Sequence, residues 1–101
     1  MAEQTSELSA GLQRIVADEA RRTQQDTEPA LYTIEFFAAG ARLETSLASF
    51  RAYGPLPVPV VGQQVMVHGV DVTVTNVYVC YDVTEEDRVA FYAHVDVVEA
   101  E

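Results

Sequence analysis

The stretch VYVCYDVTEEDRVAFYAHVDV, residues 77–97, alternates apolar and polar side chains on both sides of a short polar link. Alternation with a period of two is typical of β-strands, because successive side chains point to opposite faces of a sheet. The link, residues 84–87, is polar and acidic, so it predicts the turn of a β-hairpin. The stretch therefore predicts two long antiparallel strands, at roughly residues 70–83 and 88–98.

One register fits both strands of this hairpin. If Val83 opposes Val89, the pairs on that face are all apolar, namely Tyr81 with Phe91, Val79 with Ala93, and Val77 with Val95. A slip of one residue would turn these side chains to solvent, so the register is strongly specified. The opposite face then carries four side chains that are typical of contact surfaces, Tyr78, Cys80, Tyr92 and His94.

The phase of the alternation changes upstream of the hairpin. Val72 and Val74 belong to an even-numbered apolar set, whereas from Val77 onward the apolar set is odd-numbered. One extra residue near Thr75 must therefore be absorbed by a β-bulge or a sharp bend. A long strand bent in its middle favours a small barrel or a strongly curled sheet over a flat one.

The spacing PxPxVGxxVxVxGxxxxVxxVxxxY, from Pro57 to Tyr81, resembles the middle of SH3-like small β-barrel domains. With the last strand, the resemblance covers residues 57–98 and consists of proline, glycine and valine positions. It implies five short antiparallel strands that close a barrel. That fold serves adaptors, nucleic-acid binders and phage or virion assembly proteins, so the resemblance implies no particular activity.

Two further segments complete the predicted β domain. Tyr32, Ile34 and Phe36 share one face of a strand, and a turn at residues 39–40 leads into a second strand at residues 42–50. In the stretch PLPVPV, residues 55–60, three prolines at alternate positions remove the backbone donors from one edge of an extended chain. We expect a protected sheet edge there, with Leu56, Val58 and Val60 directed at the core.

The N-terminal region predicts a helix over residues 6–26. Its apolar stripe consists of four residues at helical spacing, Leu8, Leu12, Ile15 and Val16. Thr5 or Ser6 is the expected N-cap, and Pro29 ends the segment. Because the stripe is narrow, the helix must lie either on the Tyr78–His94 face of the domain or on a second copy of the chain. The expected organisation is a helical arm, residues 1–28, and a small β-barrel domain, residues 29–101.

Charge and composition narrow the class of protein. The chain has 16 acidic residues against six arginines and no lysine, which gives a net charge of −10. An acidic surface repels phosphate backbones and anionic lipids, so direct nucleic-acid and membrane binding are disfavoured. The N-terminus lacks the pattern of a signal peptide, and Cys80 is the only cysteine, so a soluble cytoplasmic protein is expected.

The sequence offers no constellation that points to catalysis or to a cofactor. It contains no nucleophile elbow, no HExxH and no phosphate-binding loop with its lysine. His94, Cys80 and His68 are residue types that bind zinc, but their spacing matches no zinc motif, so no metal is expected.

A non-enzymatic interaction or assembly module is the function that these observations favour. The expected partner is a protein, with a second copy of the chain as one option, and phage or mobile-element assemblies use modules of this kind. The alternative is an acidic mimic of nucleic acid that occupies a basic site on a target protein. That alternative requires carboxylates arrayed on one surface, and the C-terminal half supplies eight of them, Asp71, Asp82, Glu85, Glu86, Asp87, Asp96, Glu99 and Glu101.

Overall fold

The computed structural model describes residues 7–22, 29–40 and 45–101, in which it places one helix and five strands. The helix α1 spans Ala10–Ala20, and the strands are β1 Leu31–Ala38, β2 Ser46–Tyr53, β3 Gln64–Val67, β4 Val70–Val83 and β5 Val89–Glu99. The strands form one sheet in the order β2-β1-β5-β4-β3. The described part of the protein is thus mainly β with one N-terminal helix, as the sequence predicts.

The β4–β5 hairpin has the predicted register. Val83 opposes Val89 at its turn end, and Val77 opposes Val95 farther along. The phase change also lies where it was predicted, because a bulge between Val74 and Asn76 leaves Thr75 as the extra residue. The Thr75 hydroxyl donates a hydrogen bond of 3.1 Å to a backbone carbonyl of β5, which anchors the bulge to its neighbouring strand.

One strand pair differs from the antiparallel arrangement that the sequence suggested. β1 runs parallel to β5, with Ile34 beside Ala93 and Glu35 beside His94. No tight turn joins these two strands, so local sequence does not set their relative direction. The sheet is therefore mixed, and β5 is its central strand.

The hydrophobic core lies on one face of the sheet, called the inner face here. Val74, Ala93 and Val95 are the most deeply buried side chains on it. The other buried members come from the same alternating positions of β1, β4 and β5, and they are Ile34, Phe36, Val72, Phe91 and Val97. This arrangement follows from the period of two, since alternate residues of a curled sheet share its concave side.

The sheet is nearly closed into a barrel, with β2 and β3 as its two edges. The ring of Phe50 on β2 lies 5.4 Å from the ring of His68, which follows β3. The edges therefore approach each other through side chains. His68 and Gly69 both have positive φ, of 48° and 83°, which is the conformation of a tight two-residue hairpin turn between β3 and β4.

The proline-rich stretch is not the sheet edge that the sequence predicted. Residues 55–60 lie outside the strands and pack on the inner face, where Leu56 and Val58 contact the core as expected. The prediction for Val60 was wrong, because Pro59 is buried instead and Val60 is exposed. The chain then turns at Gly62, whose amide donates to the Val74 carbonyl at 2.8 Å and ties the segment to β4.

The helix and the second strand differ in their bounds from the predictions. Ser9 caps α1, since its hydroxyl accepts a hydrogen bond of 3.3 Å from the Leu12 amide. Residues 7–9 and 21–22 are outside the helix, whereas residues 5, 6 and 23–26 lie outside the described residues. β2 starts at Ser46 and continues to Tyr53, and residues 41–44 are also outside the described part of the chain.

Truncation of Val95 tests the central role of β5. Val95→Ala removes two fully buried methyl groups from the middle of the sheet, so we expect a loss of about 2 kcal/mol in the free energy of unfolding. Urea denaturation followed by circular dichroism measures it. The matched control is Val98→Ala on the same strand, where an exposed side chain makes the expected loss less than about 1 kcal/mol. Equal losses at the two positions would contradict this description of the core.

Candidate functional site

The four candidate contact residues lie together on the face opposite the core, called the outer face here. Tyr78 opposes His94, and Cys80 opposes Tyr92, as the hairpin register predicts. Tyr78 is the most prominent of them, because 63% of its surface is exposed, whereas the other three are half-buried. The face thus presents one projecting ring above a layer of partly buried side chains.

A glutamate from β1 joins this layer. The Tyr92 hydroxyl donates a hydrogen bond of 2.8 Å to one carboxylate oxygen of Glu35, and the Ser46 hydroxyl donates one of 2.5 Å to the other. The parallel pairing of β1 with β5 brings Glu35 beside His94. Glu35 therefore links β2, β1 and β5 across the outer face.

His94 is held on two sides. Its Nε2 atom lies 2.9 Å from Oδ1 of Asp96, two residues along the same strand. Its ring stacks on the ring of Phe37, with centroids 3.9 Å apart and planes only 9° from parallel. Phe37 lies on the outer face by the ordinary alternation of β1, whose unshifted pairing with β5 places it beside Asp96. The imidazole is thus fixed in position by an aromatic ring and a carboxylate.

The Glu35 carboxylate is electrostatically stabilised. Hydrogen bonds from Ser46 and then Tyr92, with a smaller effect of nearby His94, lower the pKa of Glu35 below its ordinary value of 4.5. Partial burial acts in the opposite direction but is outweighed. Glu35 therefore stays ionised at neutral pH and gives the outer face a negative charge beside its aromatic rings.

The polar side chains of the outer face are held by contacts with one another. The polar groups of Glu35, Tyr92, His94 and Asp96 are engaged with one another, so the layer is preorganised. His68 lies apart from His94, because its ring contacts Phe50 at the open side of the barrel. Among residues 7–22, 29–40 and 45–101, no group of three or more histidine, cysteine, aspartate or glutamate side chains is arranged to hold a metal ion.

Helix α1 does not cover the outer face. None of its residues is buried, and its stripe residues Leu12, Ile15 and Val16 are 50%, 63% and 48% exposed. Leu8, which precedes the helix, is half-buried. Of the two locations that the sequence left open for the helix, the structure therefore does not adopt the one across Tyr78 and His94.

The exposed carboxylates of the C-terminal half lie mainly at the two ends of the β4–β5 hairpin. Asp82, Glu85 and Glu86 are exposed at the turn end. Asp71 and Glu99 are exposed at the other end, where the Ala100 amide bonds to the Asp71 carbonyl at 2.9 Å. Val72 and Val83 are eleven steps apart along β4, which corresponds to about 36 Å. The middle of the hairpin between these ends carries Tyr78.

Sequence reasoning missed Glu35, Phe37 and Ser46. The single carboxylate in the apolar segment LYTIEFFA, residues 31–38, was a signal that one side chain of β1 faces outward among polar neighbours. The adjacent pair Phe36 and Phe37 was a second signal, because two successive strand residues cannot both face the core. Neither signal identifies His94 as the neighbour, since that depends on the β1–β5 pairing.

Comparisons with known proteins add no relative. No protein-family model, no curated protein and no solved structure matched the chain. Within the described residues, no helix combines the length and the apolar character that a membrane crossing requires.

The Glu35 interactions predict a specific dependence of stability on pH. Because the pKa of Glu35 is lowered in the folded state, its carboxylate stabilises the fold above pH 4.5, and this contribution is lost as the pH falls through the lowered value. We expect Glu35→Gln to be less stable than wild type at pH 7, with the difference shrinking toward about pH 3. Urea denaturation at both pH values measures it.

Ser46→Ala serves as a graded control, because it removes the strongest of the stabilising hydrogen bonds and leaves the carboxylate in place. The difference between its free energy of unfolding and that of the wild type should follow the same pH trend with a smaller amplitude. A difference between wild type and Glu35→Gln that is the same at both pH values would show that the carboxylate charge contributes nothing.

Proposed function

We propose that this protein is a non-enzymatic cytoplasmic interaction or assembly module that binds a protein partner through its outer face. The observation that carries the proposal is the exposed ring of Tyr78 above a preorganised layer of hydrogen-bonded and stacked side chains. Tyrosine gives a large contact area at a low cost in side-chain entropy, and it is enriched at the centres of interfaces.

The charges around Tyr78 indicate the chemistry of the partner. Glu35 and Asp96 carry carboxylates in the half-buried layer. Asp82 adds an exposed carboxylate on β4, the strand of Tyr78, near the hairpin turn. A complementary partner surface has a pocket or flat apolar area for the tyrosine ring, bordered by arginine or lysine side chains. Such a partner gains contact area at its centre and charge complementarity at its rim.

The nucleic-acid mimic is the second proposal that the acidic composition motivates. It requires a continuous array of carboxylates, whereas the exposed ones of the β4–β5 hairpin lie mainly at its two ends. Tyr78 projects between these two ends, which supports the aromatic contact surface rather than the nucleic-acid mimic. The two proposals differ in their dependence on salt, because charge pairs between exposed groups are screened and apolar contacts are not.

Tyr78→Ala tests the proposed contact. We expect the partner captured by the wild-type protein to bind the variant at least tenfold more weakly, because truncation of a central interface tyrosine typically costs more than 1 kcal/mol. Affinity capture followed by titration of the recovered partner measures the change. The matched control is Tyr81→Ala, since Tyr81 is 78% exposed, against 63% for Tyr78, and lies on the same strand but on the inner face, where it opposes Phe91.

Further outcomes decide the proposal. Tyr78→Ala binding that equals wild type would overturn it, as would an equal loss in Tyr81→Ala. Raising the salt from 0.1 to 0.5 M should change the affinity only a few-fold, whereas a loss of 100-fold or more would favour the nucleic-acid mimic. A bound partner should also slow alkylation of Cys80, which lies on the same face and opposes Tyr92.

A further inference from the structure

β2 ends the sheet on one side, and its open edge carries backbone groups that point away from β1. In an antiparallel pair, residues whose backbone groups bond to the neighbouring strand alternate with residues whose groups point away from it. The Gly54 amide donates to the Ala30 carbonyl at 2.9 Å, which fixes this alternation for β2. The even-numbered residues in the adjoining part of β2 therefore bond to β1. The backbone N–H and C=O groups of Ser49, Arg51 and Tyr53 point to the open edge.

The open edge of β2 requires a particular kind of partner. Outward N–H and C=O groups at the spacing of a β-strand are matched by the backbone of another extended chain, which adds to the sheet as a further strand. β2 has eight residues and contains neither proline nor lysine, which commonly protect an edge from such addition. β3, at the other edge, has only four residues. The β2 edge is therefore the better of the two for addition of a strand.

An apolar cavity of about 340 Å³, called the edge cavity here, lies beside this edge. Phe50 of β2, side chains of β3 and residues 56–59 bound it, and Ile34 and Phe36 line it from β1. Among the described residues that line it, Gln63 alone is polar, and its Oε1 atom accepts a hydrogen bond of 3.1 Å from a backbone amide. The edge cavity is therefore suited to an aliphatic side chain.

Arg51 adds a positive charge to the same edge. It is exposed, and β2 contains no acidic residue, although the whole chain has a net charge of −10. No ion pair within the described residues involves Arg51. Directly opposite residues of paired strands have Cβ atoms about 4.5–5.5 Å apart, so a carboxylate opposite Arg51 on an added strand is within reach of an ion pair. Because the chain as a whole is acidic, one carboxylate at this position is favoured and further ones are repelled.

We propose that the edge of β2 binds an extended peptide segment of a partner protein, which adds to the sheet beside Ser49, Arg51 and Tyr53. Alternation along the added strand fixes the chemistry of the segment. Its residue opposite Arg51 is acidic, and the two neighbours of that residue are aliphatic and point, like Phe50, toward the edge cavity. The backbone groups of the edge supply affinity, while Arg51 and the edge cavity supply register and specificity.

This edge site is separate from the outer-face contact of Tyr78. β1 and β5 lie between β2 and β4, the strand that carries Tyr78. Tyr78→Ala should therefore leave peptide binding at the β2 edge unchanged. Failure of either proposal is thus distinguishable from failure of the other.

Amide hydrogen exchange followed by NMR on the intact chain is the first measurement. The probe is the peptide acetyl-TVTVEVT-amide, in which valines alternate with polar residues and one residue is a glutamate. In the free protein, the amides of Ser49, Arg51 and Tyr53 should exchange at least about tenfold faster than their even-numbered neighbours, which bond to β1. The peptide at about 5 mM should slow exchange of these three edge amides at least threefold.

Either of two results in this experiment would overturn the proposal. Slow exchange of the edge amides in the free protein would show that the edge is already paired, and protection that rises with protein concentration would identify a second copy of the chain as the occupant. Exchange that the peptide leaves unchanged would show that the edge does not accept an added strand.

An exchange of charges tests the contact with Arg51. Arg51→Glu should bind the probe about fivefold more weakly than wild type, and it should bind the lysine peptide acetyl-TVTVKVT-amide about fivefold more tightly. NMR titration measures both affinities. The matched control is Arg14→Glu, which makes the same change in net charge at an exposed position of α1 and should alter each affinity less than about twofold. Equal effects of the two substitutions would show a general attraction and would overturn the contact with Arg51.

A third peptide tests the edge cavity without any change to the protein. In acetyl-TTTTETT-amide, threonines of similar shape replace the three valines, so the backbone and the charge are kept while the apolar contact is lost. We expect its dissociation constant to be at least about fivefold higher than that of the probe. An equal dissociation constant would show that the edge cavity takes no side chain from an added strand.

Discussion

The pairing of β5 with strands on both sides is the constraint on which the rest of the structure depends. Phe91, Ala93, Val95 and Val97 are buried on the inner face, so the residues between them must point to the outer face. A shift of one residue would exchange the two sets and expose the whole core side of the strand. The register that buries the core residues therefore also brings the outer-face side chains together.

Two irregularities adapt this regular ladder to a curled sheet. The bulge at Thr75 lets one long strand keep its valines on the inner face on both sides of a bend. The register shift in β2, where Leu47 is the extra residue, pairs Ser46 with Phe37, and the Ser46 hydroxyl donates a hydrogen bond to Glu35 on the outer face. The irregularities thus position the outer-face layer as well as the core.

Apolar side chains outside the core fall on distinct surfaces of the described chain. Tyr78 projects from the outer face, the helix stripe lies on α1, and a groove beside Tyr81 lies on the barrel. Tyr78 lies on the same face as the carboxylates of Glu35, Asp82 and Asp96.

The sequence by itself determined the features that depend on neighbours along the chain. The β4–β5 register, the bulge near Thr75, the shared face of Tyr78 and His94, and the helical stripe all follow from local periodicity and one short turn. Only the tertiary structure decided that β1 lies parallel to β5, which brings Glu35 to His94, and that residues 55–60 cross the inner face. The physical reason is that no tight turn links those elements, so their contacts depend on how the whole core packs.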